Sequence, residues 1–126
     1  MKLVTAAALP LLLVLGSVAQ AANCVYPQAP TKLPNGSSAT KDEMVAANGT
    51  MKEYSKSVQE VYLPCLAQEE TDAIAALDPA DPEFAQKKAA AEGIHAKKHN
   101  AALDELEAVA ARWSEEIKAF KAKDGK

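Results

Sequence analysis

Two prolines, Pro79 and Pro82, divide this chain more sharply than any other feature of its sequence. Each follows an aspartate, and this arrangement is typical of a turn that leads into a helix, with Asp81 as the capping residue and Pro82 at the first helical position. Beyond the turn, residues 83–121 contain no proline and a single glycine, and they are rich in alanine, glutamate, lysine and leucine. We therefore expect a long helix over about 82–121.

The apolar residues of this helix form one stripe along it: Phe84, Ala91, Ala102, Leu106, Val109, Trp113, Ile117 and Phe120. A stripe of this kind indicates a helix that packs one face against a partner element. Basic residues near its end suit the negative end of the helix dipole. We expect residues 122–126 to form a disordered tail.

A capping box predicts where an earlier helix begins. Thr40 is followed three residues later by Glu43, so each can accept a hydrogen bond from the other's backbone amide. The apolar residues after them recur at alternating spacings of three and four, as in a helix–helix seam: Met44, Ala47, Met51, Tyr54, Val58, Val61 and Cys65. Because the seam keeps its phase across Gly49, we expect one helix over about 41–77, weakest at Gly49 and kinked at Pro64.

The segment before this helix, residues 22–40, has the composition of an extended arm. Pro27, Pro30 and Pro34 forbid a helix there and offer little strand pairing. Two long helices joined by a short turn pack antiparallel. The sequence thus predicts an all-α fold: an antiparallel helical hairpin over 41–121 with an extended, proline-rich N-terminal arm. Its thin core needs cover, either from the arm over one groove or from a second hairpin in a four-helix bundle.

The first 21 residues have the features of a signal peptide: a basic start, an apolar stretch and a small-residue cleavage site that ends at Ala21. A membrane anchor is disfavoured because the apolar stretch is shorter than the roughly 20 residues that span a bilayer. A lipoprotein is an alternative because Cys24 lies just past the cleavage site, but Asn23 is not the small residue expected before a lipid-modified cysteine. We expect a periplasmic or secreted protein without stable membrane insertion after cleavage.

The two cysteines of the chain, Cys24 and Cys65, can pair after export without leaving a free thiol. We expect a structural disulfide that ties the arm to the first helix. A redox role is disfavoured because no Cys-x-x-Cys is present.

One helix face carries residues that could bind a metal. His95 and His99 are four residues apart and Glu92 precedes them by three, a spacing that suits zinc or copper. A complete site needs a further ligand, for which Glu60 and Glu69 of the first helix are candidates. The alternatives are two histidines at the edge of the helix seam, or a pair that repels when protonated and so senses pH.

Size and charge limit the function of the chain. Its 126 residues are too few for a TIM barrel, and a net charge of −3 argues against nucleic-acid binding. No phosphate-binding loop, nucleophile elbow or zinc-protease motif is present, so we expect a non-enzyme. We expect an exported structural or protein-interaction module that pairs with itself or with an envelope protein. The alternatives are a metal-binding periplasmic protein and a small inhibitor or immunity-type protein that blocks an envelope enzyme.

Residues 24–66 resemble a group of uncharacterised small exported proteins of Gram-negative bacteria. The resemblance rests on Cys24, Pro27, Pro30, Leu33-Pro34-Asn35-Gly36, Ala39-Thr40, Glu43-Met44, Lys52, Tyr54, Tyr62 and Cys65-Leu66. It implies a periplasmic or secreted protein with a paired cysteine in its arm. It supplies no activity, ligand or catalytic residue.

Overall fold

The structure, a computed structural model, describes residues 23–125. The predicted signal peptide and the last residue of the predicted tail lie outside the described residues. Within residues 23–125 all regular secondary structure is helical and no strand is present, which confirms the all-α prediction. The elements are α1 (Lys41–Lys56), a π-helical segment (Ser57–Tyr62), α2 (Leu63–Ala75) and α3 (Phe84–Asp124).

The first three elements form one continuous helical rod. It begins at the predicted capping box: Thr40 Oγ1 accepts a hydrogen bond from the Glu43 N–H at 3.3 Å, and Glu43 Oε2 accepts one from the Thr40 N–H at 2.7 Å. The rod passes through Gly49 without a break and ends at Ala75, two residues before the predicted end at 77. Its 35 residues span about 50 Å.

The helical structure continues through Pro64 and widens just before it. Proline has no N–H, and its ring collides with the carbonyl four residues earlier in a regular α-helix. The Leu63 N–H bonds to the Val58 carbonyl, five residues back, as in a π-turn. This wider turn carries the chain into Pro64, which lies in the first turn of α2.

The π-turn changes which residues face the core. A π-turn takes up one extra residue, so every later side chain rotates by about 100° relative to an unbroken α-helix. The predicted seam members Val61 and Cys65 are therefore displaced from it, and Val61 is 66% exposed. Tyr62 and Leu66, one position further along, are buried in their place.

In the turn between α2 and α3, Asp81 and Pro82 do not occupy the predicted N-cap and first helical position: both lie in the turn, and the N-cap of α3 is Glu83. Asp81 Oδ1 accepts a hydrogen bond from the Glu83 N–H at 2.8 Å, and the Asp81 carbonyl accepts one from the Phe84 N–H at 2.9 Å. Lys87 Nζ lies 2.6 Å from Asp81 Oδ2. Hydrogen bonds from Lys87 and then from the Glu83 backbone lower the pKa of the Asp81 carboxyl. The α-helix proper begins at Phe84, two residues later than predicted, because the capped turn precedes it.

α3 continues to Asp124, so residues 122–124 of the predicted disordered tail are helical. Lys123 Nζ donates a hydrogen bond to the Ala39 carbonyl and lies 4.6 Å from the centre of the Phe120 ring. These contacts hold the last turn of α3 against the start of α1.

The rod and α3 run antiparallel. Glu70 of α2 contacts His95 near the start of α3, whereas Ala39 before α1 contacts Lys123 at its end. The core between them is a single layer of buried residues: Ala39, Met44, Met51, Tyr54, Val58, Tyr62, Leu66, Ala102, Val109 and Trp113.

The predicted disulfide joins Cys24 to Cys65, with their Cα atoms 5.8 Å apart. From there the arm runs back toward the start of α1 and contacts both the rod and α3, through Tyr26 and Gly36. The arm therefore covers one groove of the hairpin, which was one of the two arrangements expected for so thin a core.

Candidate functional site

Tyr26 is the main side chain that holds the arm in its groove. Its hydroxyl donates to the Ala102 carbonyl at 3.4 Å and shares a 2.6 Å hydrogen bond with the Tyr54 hydroxyl. Its ring packs edge-on against Tyr62, with the two ring centres 5.0 Å apart. Burial, followed by the hydrogen bond with Tyr54, raises the pKa of the Tyr26 phenol above its usual range. The folded state thus stabilises the protonated form of the Tyr26 phenol.

Gly36 brings the arm into backbone contact with α3. Its N–H donates to Glu116 Oε2 at 2.7 Å. A Cβ atom placed on Gly36 would lie 1.9 Å from the Glu116 carbonyl oxygen and 2.9 Å from the Phe120 nitrogen. Only a residue without a side chain fits at this approach. The arm is therefore in direct backbone contact with α3 at Gly36, while cavities of about 500 Å³ between residues 27–31 and α1 and of about 290 Å³ beside Tyr26 remain along it.

His95 lines a small cleft between α2 and α3, and His99 lies one helical turn further along α3. The volume of the cleft is about 140 Å³, and its lining residues are Leu66, Glu69, Glu70, Ala73, Ala91, Ile94, His95 and Lys98. His95 Nδ1 lies 3.2 Å from Glu70 Oε2, and the rings of His95 and His99 are 5.7 Å apart. His95 Nε2 is buried without a hydrogen-bond partner. Glu69 forms an ion pair with Lys98 across the same cleft.

The remaining residues of the predicted metal site make other contacts. Glu92 pairs with Lys88 at 3.6 Å, and Glu60 pairs with Lys56 at 3.7 Å. The carboxylate that faces His95 is Glu70, which was not among the predicted ligands. In the part of the chain that the structure describes, no group of three or more histidine, cysteine, aspartate or glutamate side chains is placed to hold a metal ion. Of the two histidines, His95 makes the contact between α3 and α2.

A second groove, which we call the open groove, lies between the start of α1 and the end of α3. Its volume is about 320 Å³, and it is lined by Met44, Val45, Asn48, Trp113, Ile117 and Phe120, with Lys41 and Lys121 at its border. Met44 and Trp113 are buried and form the floor, whereas Val45 is 63% exposed. No residue of the arm lines this groove. It is an apolar surface that the rest of the described chain leaves uncovered.

Sequence reasoning placed Met44 and Trp113 in the core but did not identify the open groove. The available signal was Val45, an apolar residue next to the seam but outside it. An exposed valine beside a buried methionine widens the apolar face beyond what one facing helix covers. The sequence does not show which groove the arm occupies, so it does not show which groove remains open.

None of the helices described between residues 23 and 125 is long and apolar enough to cross a membrane. Comparisons of the chain with protein-family models, with curated proteins and with solved structures found no match.

Proposed function

We propose that this chain is an exported, non-enzymatic interaction module of the bacterial cell envelope, and that a partner protein binds in its open groove. The observation that carries the proposal is the contrast between the two grooves. The arm occupies one, where Tyr26 and Gly36 contact the helices and a disulfide holds the chain, whereas no arm residue lines the other, which exposes Val45 above a floor of Met44 and Trp113. An apolar groove between two helices is a common binding site for a helix of another protein.

The long helices suit this role. α3 alone spans about 60 Å, and the rod and the disulfide-bonded arm pack against it. A partner that docks at the open groove therefore meets a preorganised surface, which lowers the entropy lost on binding. The features of residues 1–21 and the two paired cysteines support export to an oxidising compartment.

The test is site-specific photocrosslinking of the full-length chain, expressed with its own leader in a Gram-negative bacterium. A photoreactive phenylalanine analogue replaces Val45 in the open groove and, as a matched control, Val61 on the π-helical segment. The two valines are 63% and 66% exposed, so they differ in location and hardly in accessibility. We expect a discrete adduct from position 45 that is absent from position 61.

The adduct must then be reproduced with purified components. Its partner, identified by mass spectrometry, should bind the oxidised chain at 1:1 stoichiometry. It should lose binding to the Asn48→Trp variant, which fills the groove from an exposed position. If the partner is an enzyme that loses activity when the chain binds, the chain acts as an inhibitor of that enzyme. Equal labelling from both positions, or an uncleaved chain in the cytoplasm, would contradict the proposal.

A further inference from the structure

The open groove carries positive charge at one end. Lys41 begins α1 and Lys121 lies near the end of α3, and in the antiparallel hairpin these two ends lie side by side. Both side chains are exposed, and neither ammonium group forms an ion pair with any residue of the described chain. The other end of the groove is bordered by Asn48, which is uncharged.

Three of the carboxylates near this end of the groove are engaged elsewhere. Glu43 is engaged with the backbone and hydroxyl of Thr40, and Glu116 accepts the Gly36 N–H. Glu115 pairs with Lys118. Asp42 and Asp124 are exposed but do not line the groove, so the charged side chains that line it are Lys41 and Lys121.

The shape of the groove favours a peptide over an enclosed small molecule. Small-molecule sites enclose most of their ligand, whereas this groove lies open along its length between α1 and α3. A volume of about 320 Å³ is roughly twice that of a cavity that holds one benzene ring, so two apolar side chains fit. Side chains one helical turn apart, at i and i+3 or i+4, meet that requirement.

A second copy of this chain is a poorer occupant. Two copies related by a two-fold axis would set groove against groove, and neither would present a ridge to fill the other. A different helix with protruding apolar residues supplies that ridge.

We infer that the open groove binds an amphipathic helix whose apolar anchors are followed or preceded by acidic residues that pair with Lys41 and Lys121. The inference rests on the proposed function and names the chemistry of the partner. Apolar contact with Trp113 and Met44 supplies affinity, and the two lysines set orientation and discriminate against basic partners.

The experiment uses a display library of 14-residue peptides. Each carries leucine or phenylalanine at two positions four residues apart, and its other positions are drawn from Asp, Glu, Lys, Gln and Ala. The target is the oxidised mature chain, and peptides that also bind the Val45→Asp variant are removed. We expect the retained peptides to carry Asp or Glu clustered at one end.

The retained peptides are then synthesised and their affinities measured by fluorescence anisotropy. The double variant K41E/K121E should bind them at least about tenfold more weakly, because two attractive contacts become repulsive. The matched control is K52E/K97E, which makes the same change of net charge at exposed lysines outside the groove. It should change affinity by less than about twofold. Trp113 is the one tryptophan of the sequence, so its emission reports occupancy of the groove floor.

Three results would overturn the inference: retained peptides without acidic enrichment, equal effects of the two charge reversals, or a library from which nothing is retained. If the photoreactive residue at position 45 still crosslinks a discrete partner in the cell, the proposed function stands and only the inference of an acidic helical partner is wrong. If the photoreactive residue at position 45 crosslinks nothing while acidic peptides bind, the inferred preference of the groove is right and the proposed function in the cell envelope is wrong.

Discussion

Replacing Gly36 by alanine should loosen the arm, although alanine is among the mildest of substitutions. The new Cβ would lie 1.9 Å from the Glu116 carbonyl oxygen and 2.8 Å from the Glu116 carbonyl carbon. Both atoms belong to the backbone of α3, so no side-chain rotation relieves the contact. Real Cβ atoms essentially never approach closer than 3.0 Å, so the arm must retreat by about 1 Å or more.

The magnitude follows from the contact that this retreat breaks. The Gly36 N–H lies 2.7 Å from Glu116 Oε2, and a further ångström takes it out of hydrogen-bond range. A hydrogen bond to a charged group contributes about 1.5–3 kcal/mol. Alanine offsets this loss of stability by about 0.4–1 kcal/mol, because it lowers the conformational entropy of the unfolded chain. We expect the free energy of unfolding to fall by about 1–2 kcal/mol.

The assay is urea denaturation of the oxidised protein, followed by circular dichroism at 222 nm. The chain offers two matched controls, Gly49 and Gly93, which lie within α1 and α3 with open space around the added Cβ. Gly49→Ala and Gly93→Ala should each raise the free energy of unfolding by about 0.5–1 kcal/mol. The reasoning is refuted if Gly36→Ala is as stable as the parent, or if all three substitutions change stability in the same direction.

Three further predictions concern the disulfide and two titrating groups. Replacing Cys24 and Cys65 by serine should lower the free energy of unfolding by about 4 kcal/mol in the same urea assay, because the bond closes a loop with a sequence separation of 41; a loss below about 1 kcal/mol would contradict this. Because the pKa of Tyr26 is raised in the fold, its stabilising effect is complete below the ordinary value of 10.0 and is lost as pH rises toward the raised value. Absorbance at 295 nm should show this late ionisation in the parent and not in Tyr26→Phe. The pKa of Glu43 is lowered by the backbone and then the hydroxyl of Thr40, so its stabilising effect is present above the ordinary value of 4.5 and is lost as pH falls through the lowered one. Thermal unfolding between pH 6 and 2 should show this acid loss in the parent and a smaller one in Glu43→Gln.

The elements that sequence reasoning placed correctly depend on contacts within a few residues. The capping box of Thr40 and Glu43 and the turn at Asp81 each close hydrogen bonds over two or three positions. Such contacts are available to the chain before any tertiary structure forms. The pairing of the two cysteines followed from their number and from the expected compartment.

The phase of the seam after Val58 required the folded structure. Val61 and Tyr62 are both hydrophobic, so the spacing of hydrophobic residues in the sequence is consistent with either one on the buried face. The lost donor at Pro64 permits a π-turn, and packing against α3 then selects Tyr62. The same holds for the histidines: sequence spacing placed His95 and His99 on one face, but the opposing helix supplied Glu70 as the contact.

The open groove shows most clearly where local information stops. Amino-acid order alone was enough for the approximate extents of the helices, the turn between them and the disulfide that ties down the arm, since these depend on capping, periodicity, proline and the number of cysteines. Which groove the arm fills depends on contacts across the fold, such as Gly36 against the backbone of Glu116, eighty residues away. The arm leaves uncovered the groove that Trp113 and Val45 line, beside two unpaired lysines of the described chain. The binding surface is therefore a property of how the helices and arm pack, because it consists of what that packing leaves uncovered.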